Sequence, residues 1–369
     1  MSAFCLCMFT ACDSDDNNLL CYGTHTDIEG DVTAFGAVGD GKTDCSKAIN
    51  SAIASLPAEG GVLVIPEGDF VLDAPIVINK HNVTFKGLNP GMRSNIDVNG
   101  INELLGPGGG SKLVARNAEA AIKVETGMKG VKIMNLMVSG GTEAKNIGIH
   151  FVGATDNGML SNIIGINLHT GVKIEQAKNM QIVNCWVCEL PNSIELIGGE
   201  NIVVKNCQLG AQPTGITCKV QEVNKLSFIN NQVYPDGREN LVLDACDNCV
   251  IEGNNFKSYY NGILVLNGND NTVNKNIFWL TGAVQNQLLD HGDDFGIINV
   301  KGNNNMVASN SLSCEWAYAG AVTVNAVQGT GNVFKNCFVD NLESYRVFLV
   351  NAQTEVSNCV SSDKVSIVE

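Results

Sequence analysis

The sequence predicts an all-β chain wound as a right-handed parallel β-helix, and three observations predict it. Short apolar alternations ending in asparagine recur along the chain: Val131-Lys-Ile-Met-Asn135, Met159-Leu-Ser-Asn162, Met180-Gln-Ile-Val-Asn184, Ile202-Val-Val-Lys-Asn206, Leu226-Ser-Phe-Ile-Asn230 and Val250-Ile-Glu-Gly-Asn254. The series runs on through Asn276, Asn310, Asn336 and Asn358; successive asparagines fall 22 to 27 residues apart, with one interval of 34 before Asn310. A period in the low twenties with a short strand in each pass marks a solenoid. Further strands lie between, such as Asn146 to Phe151, Gly171 to Ile174, Asn240 to Leu243 and Gly262 to Leu266, so each coil carries two or three. The third observation is composition: 45 Asn and 39 Gly beside 8 Pro in 369 residues suit tight turns rather than long helices. A leucine-rich repeat shares the period but needs a Leu-x-x-Leu-x-Leu frame, which is absent.

In chain order, residues 1–29 read as a leader and polar tether, and 30–369 as a single β-helix domain. Met1 to Thr10 is apolar but too short to cross a bilayer. Phe9-Thr10-Ala11-Cys12 resembles a bacterial lipoprotein cleavage box, which implies lipidation at Cys12, an acidic tether over 13–18 and a place on the cell envelope or outer surface. A solvated tail is the plain alternative. Asp44 to Leu56 carries Ala48, Ile49, Ala52, Ile53 and Leu56 at helical spacing and stops at Pro57, so it predicts a short helix plugging the open end of the solenoid. Gly60 to Leu72 supplies the first coil. No linker composition breaks the stretch from about residue 30 to 360, and stacked coils place asparagine over asparagine, where amides can hydrogen-bond along a ladder.

With 44 % hydrophobic residues the chain can build its own core, and a net charge of −15 argues against nucleic acid or an anionic membrane surface as partner. Any membrane contact is expected only through the lipid at Cys12. Cys185-x-x-Cys188 and Cys246-x-x-Cys249 have the spacing of zinc or redox pairs, but they sit inside strand repeats with no flanking His, where a Cys serves as a small apolar residue.

A β-helix core is dry, so chemistry must lie on an outer face or on loops that break the period. The longest interval holds Trp279, His291, Asp293 and Asp294, an aromatic ring beside acids, as a sugar site requires. Solvated turn caps are the plain reading of the same acids. A second run, Gln212 to Glu222 and then Tyr234-Pro-Asp-Gly-Arg238, offers Asp236 and Arg238 to clamp hydroxyls and Glu222 as proton donor or nucleophile; its plain reading is an exposed Asp–Arg turn. The glycines near Arg93 do not lead from a strand into a helix, so they are no nucleotide loop.

Seven motifs in one order resemble the inulin fructotransferases. They are Arg93-Ser94; Ser193-Ile-Glu195-Leu-Ile-Gly-Gly; Gly210-x-x-Pro213-x-Gly215-Ile-Thr217; Tyr234-Pro-Asp-Gly237-Arg238; Cys246-Asp-Asn-Cys249-x-Ile-x-x-Asn254; Tyr260-x-Gly-Ile-Leu-x-Leu-Asn267-Gly268; and Asp293-Asp294-Phe-Gly296-Ile-Ile-x-Val. The resemblance implies a pectate-lyase-like solenoid assembled as a homotrimer with its site between subunits, needing neither metal nor organic cofactor. It also implies a reaction without water, in which a fructosyl hydroxyl attacks the neighbouring anomeric carbon and releases a cyclic difructose dianhydride. Asp293, Asp294 and Glu222 are then the candidate catalytic acids. Arg93, Arg238, Asp236, Tyr234, Tyr260, Asn267, Trp279 and His291 are the candidate contacts to a fructan or other oligosaccharide. The chain departs from the family where a carboxylate is expected at Thr214 and a glutamate at Val242, and Gln221 and Asn224 replace acids further along. Those departures leave open a glycan-binding or structural β-helix without chemistry, or a hydrolase of difructose dianhydrides. A calcium-dependent pectin-type lyase is less favoured, because Asp-His-Gly-Asp-Asp lacks alternating ligands.

Overall fold

The computed structural model describes residues 29–91, 110–141, 145–281, 294–315, 322–340, 346–361 and 365–368. They wind into a right-handed parallel β-solenoid of about 11 turns, as the periodicity predicts. Cys12, Arg93, His291 and Asp293 lie outside the described residues.

A middle coil shows the construction. Trp186–Leu190 lies on one sheet, here called A; the chain then turns a corner into Asn192–Lys205, a long strand that bends at Gly198 and so contributes to two sheets, B and then C. The next coil repeats this with Gln208–Ala211 and Ile216–Ile229, paired in parallel so that Ile194 faces Cys218 and Val204 faces Phe228. Side chains alternate in and out. Cys218 and Val220 point to the core while Lys219 between them points outward, because strand side chains have a period of two. Three sheets thus close around an aliphatic interior, through which Phe228, Phe256 and Phe278 stack with ring centroids 6.0 and 5.0 Å apart.

The expected plug is the helix Ser46–Ser55, with Ile49, Ala52 and Ile53 buried against the first coils. Asp44 stands just ahead of it and accepts a hydrogen bond from the Ser46 amide at 3.0 Å. Leu56, extended before Pro57, ends it.

The periodic asparagines prove to do two jobs rather than one. Asn184, Asn206, Asn230, Asn336 and Asn358 occupy a corner in the left-handed conformation, φ 50–57°, which asparagine tolerates better than most residues. The residue after each corner points inward, and there Asn231, Asn254, Asn276 and Asn310 form a buried ladder. The Oδ1 atoms of Asn254, Asn276 and Asn310 each accept from the backbone amide of the asparagine one coil earlier, at 2.8 to 2.9 Å. Asn254 and Asn276 therefore belong to a different stack from Asn206 and Asn230, although the sequence alternation ends on all four. A second buried ladder runs through Asn271, Asn305 and Asn332. Cysteines extend both ladders: Cys207 donates its amide to Asn231 and Cys249 donates its amide to Asn271, each buried as a small apolar residue. Burial pushes the Cys249 thiol up to about 12 and the Cys246 thiol up to about 11, so neither is a thiolate at neutral pH.

Corners between sheets B and C are short, and so are those between C and A apart from the long connection from Gly87 to Ser111. At the corner from A to B the chain leaves the coil repeatedly, and the turns 212–215 and 234–238 stack there along one edge of the solenoid.

Candidate functional site

Backbone hydrogen bonds tie the A–B edge together from coil to coil. Gln212 donates its amide to the Leu190 carbonyl, Arg238 to Gly215 and Tyr259 to Pro235; farther along, the Asn261 side chain donates to the Phe295 carbonyl and the Asn325 side chain to the Asp294 carbonyl. Tyr234, Asp236, Arg238, Tyr260 and Asp294, drawn from separate stretches of sequence, therefore stand on one edge.

A cleft of about 360 Å³ opens there, lined by Cys188, Gly210, Ala211, Gln212, Pro213, Tyr234 and Asp236. Gly210 makes the room. A Cβ at that position would lie 3.1 Å from the Tyr234 Cβ and 3.7 Å from the Cys188 Sγ, so the missing side chain leaves a notch between them. The Tyr234 ring forms one wall, packing against a buried outer cluster of Trp186, Cys188, Ile164 and Met137 while its hydroxyl donates to Gln208 Oε1 at 3.1 Å. An apolar ring with a fixed polar tip suits the mixed surface of a sugar. Gly215 shapes the opposite rim, where a Cβ would overlap the Pro191 carbonyl oxygen. Gly215→Ala is expected to displace this turn and destabilise the protein by about 1–3 kcal/mol, read in a urea melt.

Asp236 is the acid of the cleft. Much of the residue is exposed, yet the surrounding turn strips enough water from the carboxyl to raise its pKa. Tyr259 on the next coil is raised as well, first by burial and then by the Asp236 charge, which places the phenol and the carboxyl in each other's field. Since folded Asp236 holds its proton to higher pH than the unfolded chain does, its contribution to stability falls as pH rises above 3.8. Asp236→Asn removes that penalty. Its stability relative to the parent is expected to be better at pH 7 than at pH 3, as urea melts at the two pH values would show. On the same turn Arg238 contacts Glu239 at 3.3 Å, and Glu239 is itself buried.

The remaining expected residues fall in three places. Asp294 is on the edge but exposed and paired with Arg346 at 2.6 Å. Tyr260 is buried, its amide bonded to the Ser258 hydroxyl; its neighbour Tyr259 is the one that meets Asp236, a difference of one position that only the turn register decides. Glu222 and Asn267 stand at the far side of sheet B, roughly 20 Å along the strand from Gly215. Glu222 is an exposed left-handed corner with φ 55°, and Asn267 donates to Asp244 at 2.7 Å. Trp279 lies on the outer face of sheet A with the Lys257 ammonium 4.7 Å from its ring centroid. The outer face of sheet B carries a separate ion-pair row in which Glu175 meets Lys173 at 2.9 Å and His150 at 3.4 Å. Among the described residues, no three His, Cys, Asp or Glu side chains converge as a metal site would require.

The sequence profile described as "Rhamnogalacturonase A/epimerase, pectate lyase-like" matches residues 31–240, more than half of the chain. The chain belongs to that pectate lyase-like family. A second profile, "Right handed beta helix region", matches residues 214–367. Within this pectate lyase-like setting, the likeness to the inulin fructotransferases extends over about three quarters of the chain. An inulin fructotransferase (DFA-I-forming) of Arthrobacter globiformis is 23 % identical over 317 residues, 77 % of this chain and 80 % of that protein. Among solved structures, DFA-IIIase from Arthrobacter chlorophenolicus A6 without its lid superposes with a TM-score of 0.78 at 21 % identity, covering 93 % of this chain and 97 % of that one. The same enzyme in complex with GF2 superposes with a TM-score of 0.74 at 19 % identity, with the same coverage. These superpositions concern the fold. Thr214, where the resemblance implies a carboxylate, is exposed on the rim of the cleft, and Val242 faces outward on sheet B.

Proposed function

We propose that this chain is a fructan-acting enzyme whose site is the A–B edge, with Asp236 as proton donor. The observation that carries the reading is a cleft joining an aromatic wall, Tyr234, to a carboxyl whose pKa is raised, Asp236, in a chain whose relatives include an inulin fructotransferase. The chemistry is glycosidic cleavage. A carboxyl whose proton is held more tightly because burial disfavours its charge can protonate the leaving glycosidic oxygen, while the acidic edge stabilises the positive charge that develops at the anomeric carbon. In the transfer reaction the attacking nucleophile is a hydroxyl of the adjoining fructosyl unit. Its proton passes to a second carboxylate, for which Glu239 on the same turn is the candidate, and the product is a cyclic difructose dianhydride. With water admitted in place of that hydroxyl, the same groups hydrolyse.

The test is chromatography of inulin, levan and difructose dianhydrides after incubation with the purified protein. A cyclic disaccharide from inulin supports transfer, and a linear product from a dianhydride supports hydrolysis. Binding of a fructan without conversion would support the glycan-binding alternative, which the non-acidic Thr214 and Val242 favour.

A further inference from the structure

Strand register places a row of outward side chains on sheet A. Leu209 opposite Val233 and Val233 opposite Phe256 bring Gly210, Tyr234 and Lys257 into line, and Lys257 opposite Trp279, Trp279 opposite Ser313 and Ser313 opposite Asp340 continue it. The row starts at the cleft and runs parallel to the solenoid axis. At its head the small residue is Gly210, whose missing side chain makes the notch beside Tyr234. At Ser313 a small residue again stands next to an aromatic one, here Trp279. The strands carrying Trp279 and Asp340 are two steps apart, roughly 9.5 Å, and only a hydroxymethyl group projects between them.

We propose that this gap is a second sugar subsite, walled by the Trp279 indole and the exposed Asp340 carboxylate and floored by Ser313. The inference rests on the reading that the chain takes an oligosaccharide. An indole offers the flat apolar surface on which the C–H face of a sugar ring packs, and a carboxylate accepts hydrogen bonds from two adjacent hydroxyls. Lys257 holds its ammonium 4.7 Å from the ring centroid, on the side toward the cleft, where it can meet a sugar oxygen. Ser313 lies three strands beyond Tyr234, about 14 Å. A disaccharide in the cleft cannot reach the gap, whereas a long chain lying along the axis can. The subsite therefore favours polymer over dimer, and it orients the fructan along the solenoid rather than across it.

Calorimetric titration of the full chain with long inulin and with the disaccharide inulobiose tests this. Trp279→Ala is expected to raise the Kd for long inulin about tenfold and to shift the inulobiose value far less. Asp340→Asn should weaken the polymer several-fold, and Trp279→Phe should recover much of the loss while controlling for folding. If the parent binds inulin and the variants bind it equally well, or lose both ligands in equal proportion, the subsite is wrong and the cleft stands. If the parent binds neither ligand, the oligosaccharide reading falls and the subsite with it.

Discussion

Asp236→Asn is expected to lower turnover of a fructan about 10²- to 10⁴-fold, the range lost when a positioned general acid is removed. The amide matches the carboxyl in shape and keeps a polar group at the cleft, so KM should move much less than kcat. Folding is not at risk, because the substitution removes a carboxyl that burial disfavours in its charged form. The pH profile supplies an independent reading. Protonated Asp236 is the active form, so the parent's kcat profile should show an alkaline limb displaced upward from the ordinary aspartate value, and that limb should vanish in the variant. A loss of only a few-fold would move the acid elsewhere, to Asp293, Asp294 or Glu222.

The largest effect on stability is expected from Asn276→Leu. The Asn276 Oδ1 accepts from both the amide and the side-chain nitrogen of Asn254 at 2.9 Å, and its Nδ2 donates to the Ile251 carbonyl at 2.8 Å and to Asn310 Oδ1 at 3.0 Å. Leucine fills the volume but strands the Asn254 amide and the Ile251 carbonyl in the dry interior. At about 1–3 kcal/mol for each unpaired group, a loss of roughly 3 kcal/mol or more should appear in equilibrium unfolding. Asn206→Gly is the instructive contrast. That corner needs the left-handed conformation, which glycine adopts freely, so the change should be nearly silent. Equal losses at the two positions would contradict the division of the asparagines into corner and ladder.

That division also explains how much of the fold could be read in advance. A parallel solenoid repeats its environment each coil, so the repeat in the sequence reports the coil directly, and the plug helix is evident from its own periodicity. What the period cannot report is phase. Whether an asparagine turns the corner or enters the ladder depends on a single residue, and so does the choice between Tyr259 and Tyr260 beside Asp236. The cleft was legible only in part. Tyr234, Asp236 and Arg238 are contiguous on a turn, but Gly210 and Cys188 come from the two preceding coils and join them through strand register alone. Glu222 looked close to that turn because it comes soon after Gln212 in sequence. An extended strand carries it across the whole of sheet B first.

Where the sugar lies is decided most directly by a crystal structure of Asp236→Asn grown with a fructan oligosaccharide. Sugar is expected in the cleft between Tyr234 and residue 236, with the chain continuing along sheet A toward Trp279. Sugar bound instead at the Glu222 corner, or over the His150, Lys173 and Glu175 row on sheet B, with the A–B edge empty, would contradict the assignment of the site.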